Sequence, residues 1–265
     1  MRGELCVDLD IKNSNHAYLI GFSQADGNLY EQSRNRGKFS IELQQNDREI
    51  LEKLSSILDC NYTITERTRN TNFKENYTSC VLNICNLNFR NNIKKYLCAG
   101  KKSNLIKMPI GIIKRDYFRG IIDGDGSLGF TASGFPFLSL VTESEYLAKD
   151  FIDYIKEVTG KTKTTSRNTR DYVFNIMINK EDAQLLIKEM YYDNCMALNR
   201  KYEKVKDILS WTRPDYLKKI NSKRWDNDQD KYILNHTIEE SIVTLNRTKS
   251  SIQNRLFRLS HIQYK

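Results

Sequence analysis

The chain has 265 residues, 39% of them hydrophobic and 28% charged, enough for one large domain or two small ones with real cores. Forty-two Lys and Arg against 33 Asp and Glu leave a formal net charge of +9, which suits a polyanionic partner, nucleic acid first and an anionic membrane surface second. No apolar run approaches the roughly 18–20 residues of a membrane span, and the six cysteines include no C-x-x-C pair and stand beside only three histidines. A zinc site and a disulfide framework are therefore not expected; the thiols read as reduced and mostly buried. MRGELCVDLDIKNSN at the N-terminus carries acids where a signal peptide has its apolar core. The expectation is a soluble intracellular protein without a membrane partner, in a bacterial or phage-infected cytoplasm or an organelle.

In chain order, a helix is expected over about 13–25. GKFSIELQQ (37–45) alternates Phe39, Ile41 and Leu43 with Lys38, Ser40, Glu42 and Gln44, the period of a half-buried strand. NDREILEKLSSIL (46–58) has helical spacing, with Asn46 as N-cap. NYTITERTR (61–69) and YTSCVLNIC (77–85) read as strands, and a helix over 87–98 closes the unit. The same order then returns: a helix to 124, strands near 127–131 and 137–142, a helix at 145–158, strands at 161–167 and 171–179, and helices at 180–191 and 200–210. Asp26 and Asp125 are 99 positions apart, and so are Lys102 in GKKSNLIK (100–107) and Lys201 in NRKYEKVK (199–206). The chain thus reads as an α+β domain built twice, αββαββα, over residues 1–107 and 108–211, with helices on one face of a mostly antiparallel sheet. That predicts a monomer with internal pseudo-two-fold symmetry.

Two strand faces look suited to phosphates and base edges. One carries Asn61, Thr63, Thr65, Arg67 and Arg69; the other carries Lys161, Lys163, Thr165 and Arg167. Lys38 joins them on the polar side of its strand. A solvated sheet face would also be polar, but two such faces at matching places in a basic chain favour a nucleic-acid surface.

The repeat is clearest in LIGFSQADGNL (19–29) and GIIDGDGSLGF (120–130). Gly21 and Ala25 are four apart, as are Gly120 and Gly124. Small residues on one helix face let two helices approach closely, so each helix is expected to pack on its own repeat. Asp26 and Asp125 then emerge side by side, with Gly27 and Gly126 ending the helices. A carboxylate at a helix C-terminus opposes the dipole by roughly 0.3–1 kcal/mol, two carboxylates repel, and the last carbonyls lack partners. A hard divalent cation relieves all three. The expected ligands are Asp26 and Asp125 with the backbone oxygens of Ala25 and Gly124, and the expected ion is Mg²⁺, with Ca²⁺ as an inactive substitute.

LIGFSQADG (19–27) and FRGIIDGDG (118–126) resemble the two motifs of the LAGLIDADG homing endonucleases in their single-chain form, over roughly residues 13–210. The resemblance implies a saddle of two sheets gripping double-stranded DNA, motif helices at the interface, and catalytic metals bound by Asp26 and Asp125. It implies a lysine beside the site in each repeat, Lys102 (or its neighbour Lys101) and Lys201; a plain phosphate contact is the other reading of Lys102. It also implies a polar residue near the end of each second strand that holds water, Gln44 or Gln45 and Thr142 or Glu143. Gln24 replaces the first acid of the first motif where Asp123 keeps it in the second, and Arg119 replaces a small residue. The implied activity is a staggered double-strand cut by metal-dependent hydrolysis, in the service of intron homing. An RNA maturase and a catalytically inactive DNA-binding regulator are the alternatives.

Residues 212–222 read as a linker. The remainder, 223–265, spaces apolar residues as three short helices around a turn at Asn246-Arg247-Thr248. It resembles a small Myb-like helix-turn-helix, with Trp225 as the core tryptophan. The third helix presents Lys249, Gln253, Asn254, Arg255 and Arg258, types that contact DNA grooves and phosphates. A three-helix appendage is the alternative, but the basic, acid-free outer face of the third helix favours DNA binding.

Overall fold

The first motif helix, α1 (Ser14–Asp26), starts at Asn13, whose side chain accepts from the backbone N–H groups of Asn15 and His16. It runs straight into β1 (Gly27–Glu31). Its repeat, α4 (Lys114–Asp125), runs straight into β5 (Gly126–Phe130) in the same way. In this computed structural model, which describes residues 8–70, 72, 75–97, 103–215 and 225–262, the chain forms two compact units, Met1–Arg213 and Pro214–Lys265.

The first unit contains both repeats. After β1 come β2 (Gly37–Gln44), α2 (Arg48–Ser56), β3 (Thr63–Arg69), β4 (Tyr77–Ile84) and α3 (Leu87–Ile93). The four strands form an antiparallel sheet in the order β1-β2-β4-β3. After α4 and β5 come β6 (Pro136–Thr142), α5 (Glu145–Thr159), β7 (Phe174–Asn179), α6 (Lys180–Met190) and α7 (Asn199–Ser210), with β5-β6-β7 as the second antiparallel sheet. The alternation read in the sequence decides the faces: Phe39 and Ile41 are fully buried while Lys38 and Glu42 are exposed. Helices α2 and α5 lay Ile50, Leu51 and Leu54, and Leu147, Phe151 and Ile155, into the shared core. Gly27 pairs with Ile41 and Gly126 with Leu140, so the two sheets begin in the same register.

Three expectations are corrected. Residues 161–167 do not form a strand; Arg167 alone bridges to Phe174. KTKTTSR has no apolar side chain to bury, and Lys161 turns away to bind both carboxylate oxygens of Asp182 at 2.8 and 2.7 Å. In β3, by contrast, Ile64 packs on the core and holds the strand against β4. Asn46 does not cap α2: residues 45–47 make a 3₁₀ turn, Asp47 precedes the helix, and the Gln44 amide donates to the Asp47 carboxylate. Finally, α3 ends at Ile93 rather than near 98.

Gly27 and Gly126 do end the motif helices, but in extended rather than left-handed backbone, with φ −74° and −89°. Their glycine character is steric. A Cβ on Gly27 would press on the Phe39 ring at 2.8 Å, and one on Gly126 would meet Ile122 Cδ1 at 2.6 Å.

The second unit has three helices, α8 (Asn227–Asn235), α9 (Ile238–Leu245) and α10 (Lys249–Ile262). Asp226 caps α8, Thr237 and Glu240 form a reciprocal capping box on α9, and Asn246 stops α9 in left-handed backbone with φ 46°. Among its described residues Ile233 and Ile252 are the buried apolar ones, and Ser241 is buried as well. Trp225 is half-buried, with the Arg247 guanidinium 4.0 Å above its ring. Among the described residues, no helix is long and apolar enough to cross a membrane.

Candidate active site and nucleic-acid interface

The two motif helices cross with backbone against backbone. A Cβ on Gly21 would fall on the Tyr117 carbonyl, and one on Gly120 would fall on the Tyr18 carbonyl. Near the end of the crossing, Ala25 takes the space a side chain on Gly124 would need, and such a Cβ would lie 3.0 Å from Asp26 Oδ2. The absence of a side chain at Gly124 is what lets the Asp26 carboxylate lie against the end of α4.

Side chains lock the crossing in a swapped pattern. Tyr18 on α1 donates to Asp123 on α4 at 2.8 Å, and Tyr117 on α4 donates to Gln24 on α1 at 2.5 Å. Both pairs follow the 99-residue spacing, Tyr18 to Tyr117 and Gln24 to Asp123. Asp123 also accepts from Tyr191 Oη at 2.7 Å and the Leu198 N–H at 2.8 Å. It is wholly enclosed, and burial raises its pKa although these donors and the Lys201 charge pull the other way. Gln24 meets the same demand without a charge, its amide donating to the Tyr96 and Lys107 carbonyls.

Arg119 is accommodated rather than disruptive. Fully buried, it pairs with the equally buried Asp116 at 2.6 Å and donates to the carbonyls of Met196 and Met190. Its guanidinium stacks over Tyr192 and Tyr18.

Lys201, on α7, lies under the end of α4. Only 4% of it is exposed. Its ammonium donates to the carbonyls of Ile122, Asp123 and Gly126 at 2.5, 2.8 and 2.8 Å, the carbonyls on either side of Gly124. A cation at the negative end of the α4 dipole answers the orphan-carbonyl problem directly. Burial lowers its pKa to about 8, against the upward pull of Asp123, Asp26 and Asp125. Lys102, its partner by spacing, and Lys101 lie outside the described residues.

Each acid opens onto its own depression beside its sheet. Asp26 is half-buried and lines one with Asn28, Lys38, Ser40, Glu42, Thr65 and Arg67. Exposed Asp125 lines another with Gln24, Ala25, Val141, Thr142 and Glu143. Thr142 and Glu143 therefore lie beside the second acid, although the Thr142 hydroxyl accepts from the Ser144 N–H. Gln44 and Gln45 do not reach the first; they line a different hollow with Asn46 and Tyr77. The Gly27–Ile41 pairing explains this: the residues flanking Ile41 are Ser40 and Glu42, so Gln44 is one strand period too far. Glu42 is the polar group nearer that site. Ser79 and Arg69 hydrogen-bond it and hold its carboxyl below the usual range.

The donor set at the junction suits a hard cation: two carboxylates at adjacent helix ends and backbone oxygens beside them. Among the described residues, no group of three or more His, Cys, Asp or Glu side chains could hold a metal, so a site here rests on Asp26, Asp125 and the carbonyls of Ala25 and Gly124. The room at Gly124 is compatible with that set.

The faces opposite the helices differ in chemistry. Thr63, Thr65, Arg67 and Arg69 do lie on one face of β3, paired through β4 to the side of β2 that carries Lys38. In the second repeat the expected basic strand is missing. Lys161 is ion-paired, Lys163 is half-buried, and Arg167 donates to the Tyr172 carbonyl and stacks on Phe174. In the second unit Lys249, Gln253, Asn254 and Arg258 are exposed on α10. Arg255 is not presented with them; it forms a two-point ion pair with Asp230 at 2.7 and 2.6 Å, because α8 places that acid against it.

Residues 13–97 match the family model described as a LAGLIDADG-like domain. The first repeat is a LAGLIDADG-like domain. The matched residues hold the first motif through Asp26 and all four strands of the first sheet. No curated protein matches the chain. Among solved structures, a lysine-to-alanine double mutant of I-SmaMI aligns with 92% of this chain and 97% of its own at 11% identity and a TM-score of 0.50. The homing endonuclease I-WcaI bound to its DNA recognition sequence aligns with 78% and 89% at 13% identity and a TM-score of 0.48. Full-length DUF199/WhiA from Thermatoga maritima aligns with 94% and 90% at 14% identity and a TM-score of 0.43. At 11% identity the I-SmaMI alignment speaks to fold: the first unit has the two-repeat LAGLIDADG architecture, one motif helix from each repeat forming the centre.

Proposed function

We propose that the chain is a site-specific DNA endonuclease that makes a staggered double-strand cut by metal-dependent phosphodiester hydrolysis. The observation that carries this is the junction at Gly124, where the carboxylate of one motif lies against the end of the other helix. I-SmaMI, with which the chain shares its fold, is seen bound to DNA.

Asp26 and Asp125, with the carbonyls of Ala25 and Gly124, would hold divalent ions, Mg²⁺ in the working enzyme. Such ions activate an attacking water and offset charge on the leaving oxygen. Lys201 has two roles. It fixes the end of α4 through three carbonyls, and it keeps a positive charge where phosphate charge develops. Glu42 and Glu143 edge the two depressions and are placed to orient water there. Lys102 is carried as the matching lysine of the first repeat on sequence grounds. Residues 223–265 extend the contact with DNA through Lys249, Gln253, Asn254 and Arg258.

The test is selection of bound duplexes from a randomised double-stranded library, followed by incubation of the selected duplex with Mg²⁺ or with EDTA. Cutting of both strands in Mg²⁺ alone is expected. Binding without cutting would overturn the endonuclease reading in favour of a regulator. Preference for a structured RNA over every duplex would favour a maturase.

A further inference from the structure

The second sheet presents a face unlike the first. On β6 and β7 the side chains directed away from the core are Phe137, Ser139, Val141, Asn175, Met177 and Asn179, and not one is charged. Val141 is 45% exposed and Met177 41%. The register pairs Val141 with Asn175 and Ser139 with Met177, so apolar and amide groups adjoin across the strands. On the first sheet, β2, the counterpart of β6, holds Lys38, Ser40 and Glu42 at the matching positions; β4, the counterpart of β7, carries the uncharged Ser79, Val81 and Asn83, and the edge strand β3 adds Arg67 and Arg69. Val141 stands where Glu42 stands in the first repeat, 99 residues on.

This face is continuous with the candidate centre, because Val141 lines the depression that holds Asp125. On the DNA-binding reading above, this face meets the same ligand as the first sheet. Guanine is read by Arg or Lys at its O6 and N7, whereas thymine offers a methyl group to apolar side chains and adenine a donor–acceptor pair to Asn. A surface of Val, Met and Phe with Asn beside them, and no Arg or Lys on these two strands, suits the methyl and donor–acceptor pattern of A·T pairs better than G·C pairs, whose guanine edge is met best by Arg or Lys.

We infer that the second repeat reads an A·T-rich half-site through thymine methyl groups contacted by Val141 and Met177, with Asn175 and Asn179 on the adenines, while the first repeat reads its half-site by charge. This rests on the DNA-binding reading above and adds the chemistry of one half of the target. Specificity in the second half then comes from desolvated methyl groups and is insensitive to salt. The first half depends on Arg67 and Lys38 and weakens as salt rises.

The experiment uses the full chain and a duplex selected from the randomised library. The duplex is remade with deoxyuridine for thymidine in one half at a time, which removes only the C5-methyl groups. A loss of about fourfold in affinity per contacted methyl, the value of one buried methyl-sized group, is expected for one half and little change for the other. In Val141→Ser and Met177→Ser, the preference at thymine positions of that same half relaxes and the deoxyuridine effect there disappears, while melting temperature is kept. Equal tolerance of deoxyuridine in both halves overturns the inference, as does selection of a G·C-rich sequence in the half that the two variants relax. Failure to enrich any duplex is a different result: it overturns the DNA-binding reading and this one with it.

Discussion

The two repeats share a frame and differ in how they meet the same local demands. Each motif helix must satisfy a buried tyrosine of the other; the first repeat answers with the neutral amide of Gln24, the second with the acid of Asp123. Each helix end must be held; in the second repeat Lys201 binds three carbonyls there. Each sheet must face outward; the first does so with charge on β2 and β3, whereas β6 and β7 of the second present no charged side chain. The lesson is that the duplicated geometry is conserved between the halves at backbone contacts, where Gly21 and Gly120 leave no room for choice, and free to diverge one side chain away.

The strongest way to break the comparison is at the acids, where the halves are expected to be equivalent. Asp26→Asn and Asp125→Asn should each lower double-strand cleavage by about 10²–10³-fold, the scale of losing one electrostatic stabiliser at a reacting centre. A filter-binding measurement on the same duplex should show binding retained. Full cleavage by either variant would remove that residue from the site.

Next comes Lys201. Lys201→Met leaves three carbonyls without their donor and should cost about 1–3 kcal/mol of stability in a denaturant titration, along with most of the cleavage rate. Its pH dependence has a definite sign. The folded pKa is about 8, below the ordinary lysine value of about 10.4. Between those values the unfolded chain binds the extra proton, so the stability contributed by Lys201 rises with pH across that window and is flat below it. The metal-free wild type minus Lys201→Met difference should therefore grow from pH 8 to pH 10. A difference that shrinks would contradict the buried, depressed lysine.

Asp123→Asn makes the second repeat more like the first. We expect a loss of about 1 kcal/mol and retained cleavage. Because the folded pKa of Asp123 lies above its ordinary value, the folded wild type holds a proton the unfolded chain has lost. Its stability thus falls as pH rises from the ordinary Asp range toward the folded value, and the variant should lose that slope. Smallest is the surface comparison. Arg67→Ala should weaken binding and lower the slope of log affinity against log salt by about one, while Lys161→Ala, already committed to Asp182, should change both less.

Much of this was legible in the sequence. The 99-residue spacing, the small-residue faces and the alternation of β2 locate the crossing, the acids and the first sheet. The same spacing relates Tyr18 to Tyr117, so the swapped hydrogen bonds had a signal too, hidden because an aromatic in an apolar run reads as core. The expected strand over 161–167 failed for want of a buried side chain; alternation of Lys and Thr mimics a strand period without supplying anything to pack. Gln44 and Gln45 were misplaced because the register that puts Glu42 beside Asp26 is a property of strand pairing. The outward role of Arg255 was lost to a partner, Asp230, twenty-five positions earlier on another helix, and the sequence does not announce such pairings.

The swapped tyrosines carry one more consequence. Since Tyr18 serves the opposite helix and Tyr117 returns the favour, neither half contains all the atoms its own motif requires. Cut between the repeats and produced as separate polypeptides, the halves would each present an unsealed seam, and mixing them should restore the swapped pairs of the intact chain, as a heterodimer. A pair of identical first halves would set Gln24 against Tyr18 on both sides, whereas a pair of second halves would bury two acids where the intact chain buries one. Holding both repeats in one chain thus does more than tether them; it accommodates a second repeat whose buried acid disfavours pairing with a copy of itself.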